Sequence, residues 1–158
     1  MSVIRQGAAA ALWQDAIREA LAGCGRTLDE SQESYLVFVL LRHQRDERLL
    51  ARVQALEWFD AQQREGSARR DALRDVGDRC LLVAGLFPDL AQRRRVAVDY
   101  FVDLGSGAYQ GVADAGHDAY AALFAHLAAS YRELVSALRG LRGAVPAAHA
   151  LPAHVVLH

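Results

Sequence analysis

Lysine and asparagine are missing altogether from this chain of 158 residues, and cysteine and proline are scarce. All 18 basic residues are arginine, which, together with the abundance of alanine, indicates codon bias in a GC-rich genome and favours a bacterial origin. The two cysteines, Cys24 and Cys80, are too few for a disulfide scaffold and form no Cys-x-x-Cys or Cys/His box. We therefore expect two reduced thiols in a cytoplasmic protein.

A strong net charge and a long apolar run are missing as well. The formal net charge is -1, so no basic field attracts nucleic acid or an anionic membrane surface. The longest apolar run, YLVFVLL at 35–41, is far shorter than a bilayer span. Near the N-terminus, Asp15, Arg18 and Glu19 interrupt the alanine run before the core of a signal peptide is reached. The sequence predicts no nucleic-acid partner and no membrane partner.

Apolar residues recur at helical spacing along most of the chain. Hydrophobic residues make up 53% of the sequence and charged residues 23%, which is typical of a globular domain. Glycines, capping residues and Pro88 separate the periodic segments. The pattern predicts an all-α fold, a single-domain bundle of about six helices over residues 1–143. An extended tail over 144–158, with two of the three prolines, follows it.

The predicted helix boundaries rest on these stop signals. We expect helices over 8–22, from Thr27 to about His43, and over 46–60, 67–87, 96–112 and 119–141. Thr27 and Glu30 match a capping box for the second helix, and Asp118 marks the start of the last. The second half of the 67–87 helix, CLLVAGLF at 80–87, is apolar on all sides, so the helix over 74–87 is predicted to lie at the centre of the bundle.

A Gly-Asp pair interrupts that central helix at Gly77 and Asp78. Glycine costs about 1 kcal/mol relative to alanine in a helix interior, so we expect another helix to approach closely there. Asp78 is predicted to be buried and bonded to an arginine or to backbone N–H groups, because a buried carboxylate needs partners. A general base or a ligand contact is the functional interpretation. A structural network is favoured, because such networks perturb carboxylates as readily as active sites do.

The helix predicted at 96–112 carries a polar stripe and several glycines. The stripe is formed by Asp99, Asp103, Ser106 and Gln110. Two carboxylates one turn apart are fewer ligands than an oxygen cage for Mg²⁺ or Ca²⁺ normally supplies, so the stripe predicts a solvated face. Gly105 and Gly107 are predicted to be helical, with at least one of them packed against another helix.

The six histidines do not predict a metal site. His149, His154 and His158 lie in the proline-broken tail, whereas a structural zinc site needs a closed set of four ligands. No Glu-x-x-His motif indicates a di-iron bundle, and no serine or cysteine lies in a nucleophile elbow. We predict no metal, no cofactor and no catalytic residue, and whether the protein is an enzyme stays open.

The middle of the chain combines a Gly-Asp pair, a Gly-Leu-Phe-Pro stop, a Tyr-Phe pair and a Gly-x-x-Ala-Tyr segment. These motifs are formed by Gly77, Asp78, Leu81, Gly85, Leu86, Phe87, Pro88, Tyr100, Phe101, Gly105, Ala108 and Tyr109. From about Glu33 to Gly140, roughly two-thirds of the chain, the pattern resembles a bacterial family of uncharacterised helical proteins. The resemblance implies an all-α fold and implies no activity.

Two functions follow as hypotheses. The first is a non-enzymatic helical module that binds another protein or itself as a homodimer, because the YLVFVLL and CLLVAGLF helices both require burial on all sides. The alternative is a small-molecule-binding protein or enzyme with a pocket between the Gly77-Asp78 helix and the Tyr100 to Tyr109 helix. Its candidate ligand-binding residues are Asp78, Tyr100, Asp103 and Tyr109. A filled interior and an exposed apolar patch favour the first, and a cavity lined by Asp78 and a tyrosine hydroxyl favours the second.

Overall fold

The computed structural model describes residues 2–43, 63–93, 95 and 97–144 of the chain. Seven helices and no β-strand lie within these ranges. In chain order they are α1 (Ser2–Cys24), α2 (Glu30–His43), α3 (Gly66–Leu86), α4 (Pro88–Arg93), α5 (Val98–Asp114), α6 (Ala119–Ala129) and α7 (Tyr131–Ala144). The prediction of an all-α bundle is confirmed, and none of the described helices is long and apolar enough to cross a lipid bilayer. The helix predicted at 46–60 and the tail beyond Ala144 lie outside the described residues.

The capping box of α2 lies two residues later than predicted. Asp29 Oδ1 accepts a hydrogen bond of 2.8 Å from the backbone N–H of Gln32, and Gln32 Oε1 accepts one of 2.8 Å from the backbone N–H of Asp29. The prediction of Thr27 and Glu30 as the box is wrong, because α2 begins at Glu30 and the capping residue directly precedes the first helical residue.

The last predicted helix is two helices. Ser130 separates α6 from α7, and its Oγ donates a hydrogen bond of 2.8 Å to the carbonyl of His126. The same Oγ accepts a hydrogen bond of 2.9 Å from Nε2 of Gln32 on α2. A serine that bonds back to its own helix competes with the backbone ladder, and the tertiary bond to Gln32 fixes the break. The predicted start of α6 is confirmed, since the Asp118 side chain caps it by accepting from the N–H of Ala121 at 3.0 Å.

The central position predicted for the 74–87 segment is confirmed in α3. Every residue from Cys80 to Leu86 is buried, and α5 and α7 pack directly against this helix. The first helix, α1, packs against α7 and against α2. Apolar residues at helical spacing turn one face of α5 to the core: Phe101, Val102, Ala108, Tyr109 and Val112.

Two glycines let neighbouring helices approach closely. A Cβ atom at Gly77 in α3 would overlap ring carbons of Tyr109 from α5. A Cβ atom at Gly105 in α5 would overlap the phenol of Tyr131 from α7. The close approach predicted at these glycines is confirmed. At the Gly77 contact the junction of α3 and α5, where the sequence allowed a pocket, is filled by the Tyr109 ring.

Candidate functional site

Asp78 is fully buried in the middle of α3, as predicted. Its Oδ1 accepts two hydrogen bonds, one from the Tyr35 hydroxyl and one from the Tyr109 hydroxyl, each 2.7 Å long. The expected partners, an arginine or backbone N–H groups, are therefore wrong for this oxygen. Two phenols fill that role because Gly77 allows α5 to bring Tyr109 close, while α2 contributes Tyr35.

The two phenols are held by a cluster of aromatic rings. The Tyr35 and Tyr109 rings meet edge to face at 5.8 Å, and both rings also pack edge to face on Phe124 at 5.3 and 5.2 Å. Tyr131 packs on Tyr109 at 5.3 Å and donates a hydrogen bond of 2.7 Å to the carbonyl of Gly77. Edge-to-face packing of this kind restrains ring orientation, so both hydroxyls are fixed toward Asp78.

Both phenols are neutral donors over the physiological pH range. Burial raises the pKa of Tyr109 well above its ordinary value, and the nearby negative charge of Asp78 raises it further. Burial and the Asp78 carboxylate raise the pKa of Tyr35 in the same way. Tyr35 and Tyr109 therefore stay uncharged and orient the Asp78 carboxylate by donating hydrogen bonds to it.

The second oxygen of Asp78 is in a different position. Oδ2 is buried and has no hydrogen-bond donor among the described residues. It faces Nε2 of His43, the last residue of α2, across 3.6 Å, which is longer than a hydrogen bond but within the distance of an ion pair with a protonated imidazole. The His43 side chain is also buried. One oxygen of Asp78 is thus fixed by phenols, and the other points at an imidazole.

Asp75 lies next to this pair, one turn before Asp78 on α3. Ligand atoms of His43, Asp75 and Asp78 all lie within 4.8 Å of one another, and these three residues are called the carboxylate site below. The Asp75 side chain is 32% exposed and pairs with Nη2 of Arg42 at 2.6 Å. Partial burial raises the pKa of Asp75, and Arg42 acts against that rise. The carboxylate site therefore has a buried end at Asp78 and a solvent end at Asp75.

The structure brings together only two of the four candidate residues from the sequence. Asp78 and Tyr109 are hydrogen-bonded, but Tyr100 is 41% exposed and packs on its neighbour Phe101. Asp103 is exposed and faces Arg132 at 3.7 Å. The reason is helical phase: nine residues at about 100° each place Tyr100 on the side of α5 opposite Tyr109. Of the polar stripe predicted to be a solvated face, Asp99, Asp103 and Gln110 are exposed, whereas Ser106 is half-buried and its Oγ donates a hydrogen bond of 3.1 Å to the carbonyl of Ala128.

Sequence reasoning missed Tyr35, His43 and Asp75 as site residues. Two signals were present: Tyr35 and His43 lie about two turns apart on one face of α2, and Asp75 lies three residues before Asp78 on α3. Neither signal shows that α2 and α3 meet at these positions. The apolar segment around Tyr35 indicated core, and His43 stood at the predicted end of its helix.

No protein-family model, curated protein or solved structure matches this chain. The resemblance to a bacterial helical family therefore stays a prediction. Function has to be argued from the side chains at the carboxylate site, where two carboxylates and one imidazole converge from two helices. Carboxylate and imidazole groups are the ordinary protein ligands of cations.

Proposed function

We propose that this protein binds a small cationic ligand at the carboxylate site. The observation that carries the proposal is the asymmetry of Asp78, whose Oδ1 accepts two phenol donors while the buried Oδ2 has no donor among the described residues. A purely structural carboxylate gains from satisfying both oxygens, since an unsatisfied buried polar atom costs about 1–3 kcal/mol. A cation beside Oδ2 removes that cost.

Arg42 and Arg74 do not take this place. Arg42 is engaged with Asp75, and Nη1 of Arg74 donates to the Tyr120 hydroxyl at 3.3 Å. The Arg42–Asp75 pair is about one-third exposed on each side, and ion pairs of that exposure contribute little stability. A ligand approaching from the Asp75 side therefore replaces or joins Arg42 at small cost.

This proposal corresponds to the small-molecule alternative predicted from the sequence, but the ligand site lies elsewhere in the fold. The predicted pocket lay between α3 and α5, where the Tyr109 ring fills the space over Gly77. The carboxylate site instead faces the C-terminal end of α2, where His43 lies. Asp78 keeps its predicted role as a ligand contact, whereas Tyr109, predicted to contact the ligand, instead donates a hydrogen bond to Asp78. Tyr100 and Asp103 have no role at the carboxylate site.

Thermal unfolding with a panel of cations tests the proposal. The panel contains Zn²⁺, Mn²⁺, Mg²⁺, spermidine and tetramethylammonium, each added to chelator-treated protein. We expect at least one cation to raise the Tm of the wild type in a concentration-dependent way, since a ligand present at 100 times its Kd stabilises by about 2.7 kcal/mol. The shift should disappear in Asp78→Asn and persist in the matched control Asp103→Asn. A panel that leaves the wild-type Tm unchanged contradicts the proposal.

Self-association or protein binding is a second candidate function, favoured by apolar residues that face solvent. Leu12 on α1 is 71% exposed and Phe38 on α2 is 44% exposed. The Arg18–Glu33 ion pair of 3.0 Å joins α1 to α2 as a hairpin. Leu12 then lies about 9 Å along α1 from that pair and Phe38 about 7.5 Å along α2, so the two side chains are at similar heights. A dimer mass by light scattering that becomes a monomer mass in Leu12→Arg supports this candidate, and a monomeric wild type contradicts the homodimer.

We also propose that this protein is located in the cytoplasm. Cys24 and Cys80 form no disulfide bond, and Cys80 is buried in the core beside α5. Cysteines that form no disulfide bond are typical of proteins in reducing compartments, which supports a cytoplasmic assignment. Labelling of both thiols in freshly lysed, unfolded protein without a reductant tests it, because oxidised cysteines would not react.

A further inference from the structure

We propose that the cation is a divalent first-row transition metal ion, held by Nε2 of His43 and by carboxylate oxygens of Asp75 and Asp78. This inference rests on the proposed function and names its ligand class. Three features of the carboxylate site carry it: the donor set, the spacing of the donor atoms, and the hydrogen bonds that orient Asp78.

The donor set combines one imidazole with two carboxylates. Mg²⁺ and Ca²⁺ favour all-oxygen sites, whereas an imidazole nitrogen suits Zn²⁺, Fe²⁺ and Ni²⁺, and carboxylates also suit Mn²⁺. An organic ammonium group would use the carboxylates and has no need of a buried imidazole nitrogen. His43 is buried at the end of α2 with Nε2 toward Asp78, so the mixed set favours a transition metal.

The spacing fits a metal ion with small side-chain adjustments. Protein nitrogen and oxygen ligands lie about 2.0–2.2 Å from such an ion, which places neighbouring ligand atoms about 3.0–3.5 Å apart. His43 Nε2 and Asp78 Oδ2 are 3.6 Å apart, and ligand atoms of all three residues lie within 4.8 Å of one another. Asp75 and Asp78 share one face of α3, and His43 approaches that face from α2.

The hydrogen bonds around Asp78 have the form expected behind a metal ligand. A ligating carboxylate is usually hydrogen-bonded through groups that do not touch the ion, and these partners fix its orientation. Tyr35 and Tyr109 both donate to Oδ1, which leaves Oδ2 directed toward His43. The two tyrosines are therefore positioning residues, and Asp78 Oδ2 is the ligand atom.

The solvent side of the site supplies the remaining coordination positions. Asp75 is partly exposed, and one of its oxygens is bonded to Arg42 at 2.6 Å. The other oxygen can ligate the ion while Arg42 keeps its partner, or Arg42 can leave the carboxylate to the ion. Three protein ligands leave at least one position for water or a further ligand, as in catalytic metal sites.

Calorimetric titration of Zn²⁺, Mn²⁺ and spermidine into the chelator-treated full-length chain tests this inference. The background variant carries His149→Gln, His154→Gln and His158→Gln, which removes stray binding by the tail. We expect one transition ion per chain, with affinity reduced at least about tenfold in His43→Gln and in the more exposed Asp75→Asn. The matched controls His126→Gln and Asp103→Asn should bind as tightly as the background. With Co²⁺, ligand-field absorption bands should appear and be altered by His43→Gln.

The outcomes separate this inference from the proposed function. Binding of a transition ion that depends on His43 and Asp75 supports the metal site. Asp78-dependent binding of spermidine without transition-ion binding overturns the metal site and leaves a cation-binding function in place. Transition-ion binding that neither His43→Gln nor Asp75→Asn changes overturns the metal site, and binding of no cation overturns both.

Discussion

The ring of Tyr109 lies directly on the backbone of Gly77, in the space that a side chain would need. This contact places the Tyr109 hydroxyl 2.7 Å from Oδ1 of the next residue, Asp78. The hydrogen bond to Asp78 therefore depends on the close packing at Gly77. With a larger residue at position 77, α5 would move outward and Asp78 would lose a donor. The Gly-Asp pair has a structural reason that ties it to the carboxylate site.

Gly77→Ala should destabilise the protein. The added methyl group overlaps the Tyr109 ring, and overpacking of a filled core costs about 1–3 kcal/mol, more than the roughly 1 kcal/mol that alanine gains in helix propensity. Gly23→Ala is the matched control, because an added methyl group there meets open space on α1. Urea unfolding should give a lower midpoint for Gly77→Ala and an equal or higher one for Gly23→Ala. A Gly77→Ala protein as stable as the wild type contradicts the close contact.

Tyr35→Phe and Tyr109→Phe should each lower the free energy of unfolding by about 1.5–3 kcal/mol. Each removes one donor from a buried carboxylate, and hydrogen bonds to charged groups lie in this range. Because both hydrogen bonds end on Asp78 Oδ1, the loss of unfolding free energy in the double variant should differ from the sum of the two single losses. A double-mutant cycle by urea unfolding checks this, with Tyr100→Phe on the surface of α5 as control. Losses below about 0.5 kcal/mol in both single variants would argue against the two bonds.

Alkaline pH should destabilise the fold through the buried phenols. Burial raises the pKa of Tyr35, Tyr109 and Tyr131 above the value of about 10 that they have in the unfolded chain. The stabilisation they provide is therefore complete below about pH 10 and is lost as the pH rises, because the unfolded chain ionises first. Each phenol contributes a slope of about 1.4 kcal/mol per pH unit in that range.

Unfolding free energies measured from about pH 8 to about pH 11 check this slope. The Tyr35→Phe/Tyr109→Phe variant keeps only Tyr131 of the three phenols, so its alkaline slope should fall to about one-third of the wild-type slope. Equal slopes in the two proteins would show that Tyr35 and Tyr109 ionise as freely in the folded as in the unfolded chain, against their burial.

Arg42→Gln should bind the transition ion more tightly than the wild type. Arg42 competes for Asp75 through a bond of 2.6 Å, and its removal frees the carboxylate while leaving His43 and Asp78 in place. Because an ion pair of this exposure contributes about 0–1 kcal/mol, the expected gain in affinity is up to about fivefold. Arg132→Gln, which removes an arginine that pairs with Asp99 and Asp103 on α5, should leave the affinity unchanged. Weaker binding in Arg42→Gln would mean that Arg42 positions Asp75 for the ion.

The fold was predictable where the pattern that determines a helix lies within the sequence of that helix. The all-round apolar segment gave the central position of α3, and the 3–4 spacing gave the buried face of α5. The break at Ser130 was not predictable, because it depends on a hydrogen bond to Gln32, which is 98 residues away in sequence. The start of α2 was misplaced because Thr27–Glu30 and Asp29–Gln32 both match a capping box, and only the position of the first turn chooses between them.

The candidate site was half predictable for the same reason. A carboxylate entering an apolar helix segment marks Asp78, and the glycine before it predicts a close neighbour, which is Tyr109. Helical phase alone would have separated Tyr100 from Tyr109, since nine residues turn an α-helix by about half a circle. His43 joins the site only through the packing of α2 near α3, which a single sequence does not encode as a local pattern.

The sharpest test of the metal site is anomalous diffraction at the zinc edge from Zn²⁺-soaked crystals of the background variant that lacks the three tail histidines. We expect one peak at the carboxylate site, about 2.0–2.2 Å from His43 Nε2, from Asp78 Oδ2 and from an oxygen of Asp75, with both phenols still bonded to Asp78 Oδ1. Crystals of Asp78→Asn should lack this peak. An unoccupied carboxylate site in the background variant, with Asp78 Oδ2 bonded to a donor of the protein itself, would show that no metal ion binds there.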